Sequence, residues 1–267
     1  MIVSGIQMDI AWENPPENFK RAREWASKAM DHEGGPPELL VLPELFATGF
    51  SMDSEKVAAF GEETREFLAG LAAEFSVPVL GGYAENASPL PANACSIFSP
   101  TGKEVLHFQK LHPFSLAKED EHYTPGESVA TGAVGGIRVT PFICYDLRFP
   151  EPFRPAAPDT DLYCVIANWP EMRREAWSTL LRARAIENQA YVLGVNRAGK
   201  AGDLLHAGDS ALVDPLGQVI ATVEPYEEGL AIGEVDPEEV SRIRAELGFL
   251  KDRRPKLYGA VEEKFRR

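Results

Sequence analysis

The stretch "TPFICYDLRFPEPF", residues 140–153, joins an apolar run to a polar turn at a single cysteine, Cys144. The apolar residues before this cysteine predict a buried β-strand. The polar residues from Tyr145 onwards predict that the strand ends there in a turn. A cysteine in this position is either a small buried hydrophobe that closes the strand or a nucleophile with its sulfur exposed at the strand end.

Composition and charge limit the classes of function. The chain has 267 residues, of which 44% are hydrophobic and 25% charged, as in an ordinary globular protein. Neither a membrane-spanning run nor a basic-then-apolar leader is recognisable, so we expect a cytoplasmic protein with no membrane partner. The formal net charge of −14 argues against nucleic acid as a partner, because phosphate binding needs clustered Lys and Arg.

The cysteine pattern and the missing motifs argue against other kinds of site. Cys95, Cys144 and Cys164 are odd in number and show no CxxC spacing, which argues against a disulfide framework. The sequence has no HExxH and no Cys/His cluster, so we expect no metal. It also lacks GxSxG and GxxxxGK[ST], and we expect no cofactor.

Hydrophobic patterns predict an α/β fold with mixed sheets in a single domain, residues 1–267. Predicted helices cover 14–30, 62–75 and 172–189, and a last helix begins at Pro237. The predicted strands and hairpins are "MIVSGIQMDI", "ELLVLPELF", "VPVLGGYAE", "ACSIFSPTGKEVLHFQK", "GIRVTPFIC", "DLYCVIAN", "AYVLGVNR", "SALVDPLGQVIATV" and "LAIGEVD". Residues 248–267 form a charged tail with no apparent core of its own.

Two further polar residues follow predicted strands. Glu44 comes after "LLVLP", and Lys110 ends "EVLHFQK" before a long polar loop. Each alone would be an ordinary solvated side chain. A thiol needs a base, however, and a carbonyl under attack needs positive charge near its oxygen. Together with Cys144, these residues suggest a thiol site at one edge of a sheet, whereas Cys164 lies inside its apolar strand.

The segments "VLPELFATGF", "FQKLHPF" and "ICYDLRFPE", in that order, resemble the three catalytic segments of the nitrilase (carbon–nitrogen hydrolase) superfamily. "ANWP", "RARAIENQAYV", "NRAG" and "GDSALVDPLGQVI" extend the resemblance over nearly the whole chain. It implies a four-layer αββα sandwich with two mixed β-sheets. It also implies a homodimer, an eight-layer αββααββα block, or a higher homo-oligomer. The tail from about 248 to 267 either packs on a partner subunit or frays.

The resemblance assigns roles to the strand-end residues. Cys144 would attack an amide carbon, release ammonia and form a thioester. Glu44 would act as general base for the thiol and later for water. Lys110 and the backbone N–H of Tyr145 would bind the oxyanion.

The loop of residues 111–127 holds the remaining catalytic candidate. The resemblance implies a second glutamate there, which Glu119 matches best, with Glu121 as an open alternative. His112 and His122 lie in the same loop without an evident orienting partner, so we expect them to line the site and not to act as bases.

Within the superfamily, "CYDLRFPE", "ANWP" and "RARAIENQAYV" most resemble the omega-amidase branch, which hydrolyses the terminal amide of 2-oxoglutaramate or 2-oxosuccinamate. Such substrates carry a carboxylate that needs a cation. Arg173 is the candidate, while Arg148 and Arg174 are alternatives that we expect to form structural salt bridges. The other candidates for substrate binding are Tyr145, Asn168, Trp169 and Phe114. Trp169 and Phe114 either wall the pocket or belong to the core, and Asn168 and Asn196 either contact substrate or stabilise turns.

Two alternatives stay open. In the first alternative the substrate is of another class handled by this superfamily: deaminated glutathione, an N-carbamoyl compound, an aliphatic amide or a nitrile. In the other alternative the chain is a catalytically silent binding module on the same scaffold. The presence of Glu44, Lys110 and Cys144 argues against a catalytically silent module.

Overall fold

The computed structural model describes residues 1–265 except the side chain of Glu262, so the last two residues of the predicted tail lie outside it. Two six-stranded mixed sheets pack face to face, with helices on their outer faces. This confirms the predicted α/β fold with two mixed sheets. The first sheet has the order β14-β1-β2-β3-β4-β5 and the second β13-β12-β9-β8-β7-β6, while β10 and β11 form a separate hairpin.

The elements follow one another along the chain with these bounds. The strands are β1 (Ile2–Gln7), β2 (Leu39–Val41), β3 (Val79–Glu85), β4 (Ala92–Phe98), β5 (Glu104–Gln109), β6 (Gly132–Val134), β7 (Ile137–Ile143), β8 (Leu162–Ala167), β9 (Tyr191–Asn196), β10 (Ala198–Ala201), β11 (Leu204–Ala207), β12 (Ala211–Val213), β13 (Val219–Thr222) and β14 (Gly229–Glu234). The α-helices are α1 (Pro15–Met30), α2 (Ser54–Ala58), α3 (Gly61–Phe75), α4 (Pro150–Ala156), α5 (Arg174–Asn188), α6 (Pro237–Leu247) and α7 (Pro255–Phe265).

Helix α1 shows how local sequence sets an element and its buried face. The side chain of Asn14 accepts a hydrogen bond from the N–H of Glu17, and prolines occupy the first helical turn, where their missing N–H groups are not needed. Ala22, Ala26 and Ala29 are buried on one face, as their spacing predicts. The helix therefore covers the outer face of the first sheet beside α3.

The strand directions bring the candidate residues to one edge. Strands β7, β8 and β9 are parallel and, apart from Arg138, buried because helices cover one face of their sheet and the first sheet covers the other. In the first sheet β2 and β3 are parallel, and two antiparallel pairings make β5 run the same way. Residues directly after β2, β5, β7 and β8 therefore meet at one end of the sandwich.

Some boundaries differ from the sequence prediction. The strand predicted in "ELLVLPELF" covers only β2, because the chain turns after Val41 to bring Glu44 inward. The helix predicted at 172–189 is a 3₁₀ turn, Glu171–Arg173, followed by α5. Sequence patterns missed α2, β6, α4 and the β10–β11 hairpin, all short elements. The predicted tail contains a helix, α7. The prediction that the helix beginning at Pro237 is the last one is therefore wrong.

Within residues 1–265, the helices all fall short of the length and hydrophobicity that crossing a membrane requires.

Gly82 in β3 provides a test of how closely β3 packs against the Glu44 segment and against β8 of the second sheet. A Cβ there would lie 2.8 Å from the Cα of Glu44 and 2.8 Å from Cδ1 of Ile166. We expect Gly82→Ala to lower the free energy of unfolding by about 1–3 kcal/mol through overpacking, measured by urea denaturation.

Gly70 is the matched control because a Cβ there meets nothing within 4 Å and α3 is helical around it. Gly70→Ala should raise stability by up to about 1 kcal/mol. A Gly82→Ala protein as stable as the wild type would contradict the close packing at Glu44.

Candidate active site

Cys144 occupies a sharp strand-to-helix turn. It follows β7, has φ +48°, and begins the 3₁₀ helix Cys144–Arg148. A non-glycine residue in this left-handed region is uncommon and needs support from its surroundings. Asp146 supplies it, since its Oδ2 accepts the N–H of Ile143 (3.1 Å) and its Oδ1 accepts the N–H of His112 (2.9 Å).

Beside this turn lies a buried cluster of three charged side chains. Lys110 Nζ donates to Glu44 Oε1 at 2.9 Å and to Glu119 Oε2 at 2.8 Å. All three side chains are almost completely removed from solvent. The cluster carries two carboxylates and one ammonium, so the positive charge of an ionised Lys110 is essential to offset one of the two buried negative charges.

Two asparagines hold Glu44 in place. Asn93 Nδ2 donates to Glu44 Oε1 (2.8 Å) and to Glu119 Oε1 (3.0 Å), bridging the two carboxylates. The backbone N–H of Asn168 donates to Glu44 Oε2 (2.7 Å), and its side-chain amide donates to the Glu44 carbonyl (2.6 Å). The orientation of the Glu44 carboxylate is therefore fixed from both sheets.

Burial and charge set the protonation of the site. Burial would lower the pKa of Lys110, but the neighbouring Glu119 and Glu44 carboxylates outweigh it and raise this pKa well above its ordinary value. Burial also raises the pKa of Glu119, with Lys110 opposing the shift. Burial and the Glu44 charge raise the pKa of the Cys144 thiol, which is therefore protonated at neutral pH.

Cys144 opens into a pocket of about 400 Å³. The pocket is lined mainly by aromatic and aliphatic side chains, with a few polar groups, as is usual for small-molecule sites. The lining residues are Trp12, Phe50, Met52, Phe114, Ala117, Cys144, Tyr145, Arg148, Asn168, Trp169, Pro170, Arg173, Ala201, Gly202, Leu204 and His206.

Two arginines contribute the cationic part of the pocket. Arg173 lies over the ring of Phe114 at 5.0 Å, and Arg148 over the ring of Trp169 at 4.9 Å. Within residues 1–265 neither guanidinium forms a salt bridge, so the expectation that Arg148 is a structural salt-bridge partner is wrong. Arg174 does form one, to Asp209 at 2.7 Å, and does not line the pocket.

The structure brings Glu44, Lys110, Cys144 and Glu119 together at one end of the sandwich. It puts Glu119, not Glu121, beside Lys110, since Glu121 is exposed and pairs with Lys118. The five predicted substrate-binding residues all line the pocket: Tyr145, Arg173, Asn168, Trp169 and Phe114.

Three sequence expectations about polar residues change. His112 does have an orienting partner, since its Nδ1 lies 2.8 Å from Asp146 Oδ1, and it stacks on Phe149. Neither His112 nor His122 lines the pocket, because the loop turns inward through Glu119. Of the two alternatives for Asn196, the structure supports stabilisation of a turn. Its side chain forms hydrogen bonds with the backbone of Trp169 and Gly208.

The sequence analysis missed Asn93 and His206. Asn93 is a polar residue inside the apolar strand β4, and that contrast was the available signal. His206 belongs to the β10–β11 hairpin, which was not predicted. Burial and the nearby Arg197 lower its pKa to about 4, so it is neutral at pH 7.

Within the described part of the chain, no group of three or more His, Cys, Asp or Glu side chains is arranged to hold a metal ion. The polar groups at Cys144 are instead a carboxylate, an ammonium and backbone N–H groups. This set can move a proton and stabilise an oxyanion.

Comparison with known families fits this combination of fold and site. The family model described as carbon–nitrogen hydrolase matches residues 2–245. The chain therefore belongs to the carbon–nitrogen hydrolase family, the nitrilase superfamily, and is a hydrolase acting on amides.

Individual members of this family are similar to the chain over most of its length. The omega-amidase YafV of Yersinia enterocolitica is 36% identical, covering 80% of this chain and 84% of the relative. The 2-oxoglutaramate amidase of Bacillus subtilis is 32% identical, covering 96% and 98%. The crystal structure of a CN-hydrolase superfamily protein from Xanthomonas campestris superposes with a TM-score of 0.88 at 30% identity, covering 95% of this chain and 97% of that one.

The buried charge cluster leads to a pH-dependent prediction. Lys110→Met leaves the Glu44 and Glu119 carboxylates buried without a cation, so we expect a loss of about 3–5 kcal/mol in unfolding free energy at pH 8. Without Lys110, which opposes the effect of burial, the folded-state pKa of the Glu119 carboxyl rises further above its unfolded value. Protonation of Glu119 then favours the folded state, and the loss should be smaller at pH 5.

Urea midpoints at pH 5 and pH 8 measure this difference. The control is Lys118→Met, which removes an exposed lysine of the same loop and should change stability little at either pH. An equal loss for Lys110→Met at both pH values would contradict the proposed charge balance.

Proposed function

We propose that this amidase hydrolyses small amides that carry a carboxylate, in the manner of an omega-amidase acting on 2-oxoglutaramate or 2-oxosuccinamate. The observation that carries the proposal is a pocket lined by Cys144 and by two arginines that lack carboxylate partners in the described chain. The buried Glu44–Lys110 pair lies beside this cysteine. The similarity to relatives named omega-amidase and 2-oxoglutaramate amidase supports the same substrate class.

In the proposed acylation step, Glu44 accepts the proton of the Cys144 thiol while sulfur attacks the amide carbon. A base is needed because the raised thiol pKa leaves little thiolate at neutral pH. Lys110 and the backbone N–H of Tyr145 stabilise the oxyanion. The latter belongs to the first turn of a 3₁₀ helix, where N–H groups have no partner within the helix.

The tetrahedral intermediate then expels ammonia, with the proton returned by Glu44, and a thioester forms on Cys144. Glu44 next takes a proton from water, which attacks the thioester carbonyl. Collapse of the second intermediate releases the carboxylic acid and restores the thiol. Glu119 keeps Lys110 charged and directed at the oxyanion through its hydrogen bonds to Nζ.

Arg173 holds the substrate carboxylate in this proposal, and Arg148 is the alternative. The chain has a formal charge of −14, so an anion needs local positive charge to remain bound. Stacking on Phe114 restricts the Arg173 side chain, which lowers the conformational cost of ordering it on a carboxylate. Asn168, Trp169 and Phe114 complete the walls around the acyl chain.

Ammonia release from 2-oxoglutaramate, from glutamine and from a nitrile tests the substrate class. Wild type should turn over 2-oxoglutaramate, and Cys144→Ala should lose at least about 10³-fold in kcat. Turnover of the nitrile alone would exclude the proposed substrate class, and full activity of Cys144→Ala would exclude the mechanism.

Arg173→Ala tests the carboxylate contact. We expect KM for 2-oxoglutaramate to rise about 10–100-fold with a smaller change in kcat, because the contact persists from ground state to transition state. KM for the neutral amide butyramide should be unchanged. The same KM pattern in Arg148→Ala, with Arg173→Ala unaffected, would transfer the role to Arg148.

The assembly and location are also proposals. Helix α7 exposes Leu257, Tyr258 and Val261, and we propose that it packs on a partner subunit in a homodimer. A cytoplasmic location stays a prediction.

Light scattering on the full chain should give twice the 29.3 kDa subunit mass. Val261→Asp should shift the equilibrium towards the monomer, whereas Val105→Asp, at an equally exposed valine on β5, should not. A monomeric wild type across micromolar concentrations would refute the dimer.

A further inference from the structure

The pocket is larger and more apolar than a five-carbon oxo-amide requires. Such a substrate displaces roughly six waters, or about 180 Å³ at about 30 Å³ per water. The pocket measures about 400 Å³. More than half of its volume therefore remains after the amide, the carboxylate and the short chain between them have been placed.

Four lining residues carry no charge of their own, although one of them, Phe50, lies with its ring centre 5.1 Å from Lys110 Nζ and so borders the charged cluster. Trp12, Phe50, Met52 and Leu204 come from three separate segments and contribute only aromatic and aliphatic side chains. Trp12 lies next to Gly49, where a Cβ would be 3.2 Å from its ring, and so adjoins the Phe50 segment. We call these four residues the apolar subsite.

The base of the hairpin that carries Leu204 is joined to the chain segment that leads to Trp12. The N–H of Ala198, at the start of β10, bonds the carbonyl of Met8, and Asp9 forms a bridge with Ala198. Strand β11 also packs against the 3₁₀ turn Glu171–Arg173. The hairpin thus connects the apolar subsite to the segment that carries the cationic Arg173.

The apolar subsite is open to water in the free protein. Trp12 is 50% exposed and Leu204 is 51% exposed. Two further exposed apolar residues stand next to lining residues: Leu116 beside Ala117, and Met172 beside Arg173. An apolar surface of this kind at the mouth of a pocket is typical of a ligand-binding surface, since covering it removes apolar area from water.

We infer that the apolar subsite binds an aromatic or branched aliphatic substituent on the acyl chain of the substrate. The enzyme then hydrolyses primary amides bulkier than the five-carbon oxo-amides, with water as co-substrate and ammonia and the acid as products. Where the substrate also carries a carboxylate, this inference rests on the proposed function. The apolar contact itself does not need the carboxylate.

The test compares glutaramate with 3-phenylglutaramate, two carboxylate-bearing primary amides that differ by one phenyl group, by ammonia release. In the wild type, kcat/KM for 3-phenylglutaramate should be at least about tenfold higher. An equal or lower value for the phenyl compound would overturn the inference and leave the omega-amidase proposal standing if 2-oxoglutaramate is turned over.

Adjacent leucines on β11 supply matched variants. Leu204 lines the pocket, whereas Leu205 is exposed but, on the alternate face of the strand, does not line it. We expect Leu204→Ser to lower the phenyl preference about fivefold and Leu205→Ser to leave it unchanged. Equal preferences in both variants and in the wild type would exclude Leu204 from the subsite and overturn the inference as stated.

Butyramide and 3-phenylbutyramide repeat the comparison without a carboxylate. If neither 2-oxoglutaramate nor glutaramate is hydrolysed, the proposed function fails, yet this neutral pair still measures the apolar subsite. A phenyl preference in the neutral pair supports the inference, and its absence refutes it.

Discussion

The hydrogen-bonded contact of Lys110 with Glu44 and Glu119 is the interaction on which the rest of the site depends. Three charged side chains buried in one place are costly unless each is paired, and here every one has a charged partner and at least one further hydrogen bond. The partners come from the ends of β2 and β5 and from the loop after β5, while Asn168 reaches Glu44 from the second sheet. The two sheets must therefore pack in one register for the cluster to be satisfied, which ties the fold to the chemistry.

Burial of the site also explains why the proposed mechanism needs Glu44 as a proton acceptor for the Cys144 thiol. A thiol in an apolar pocket beside a carboxylate resists ionisation, and Cys144 is neutral at rest. Transfer of its proton to Glu44 leaves the net charge of the site unchanged, whereas loss of the proton to solvent would add a second uncompensated negative charge. In the proposed mechanism Lys110 stabilises the developing oxyanion, and the turn at Cys144, with its positive φ, places the proposed nucleophile in the pocket lining.

Three residues of the site could be identified from the sequence because a polar or reactive side chain stands at the end of an apolar strand. Glu44, Lys110 and Cys144 were recognisable as polar or reactive residues at strand ends, and Cys164 as a buried cysteine within one. The resemblance of their segments to one superfamily supplied topology that hydrophobic periodicity does not contain. Periodicity failed for the β10–β11 hairpin, since short strands with glycine and exposed leucines carry no clear alternation.

The sequence by itself determined the order of the longer strands and helices, the three strand-end residues and the negative charge that makes a local arginine necessary. Only the tertiary structure showed that Glu119, and not Glu121, lies beside Lys110, that Arg174 pairs with Asp209 while Arg148 has no carboxylate partner within residues 1–265, and that His112 contacts Asp146. The physical reason is distance along the chain. Each of these outcomes depends on which groups meet across separate segments in a desolvated space, and local propensity holds no information about such meetings.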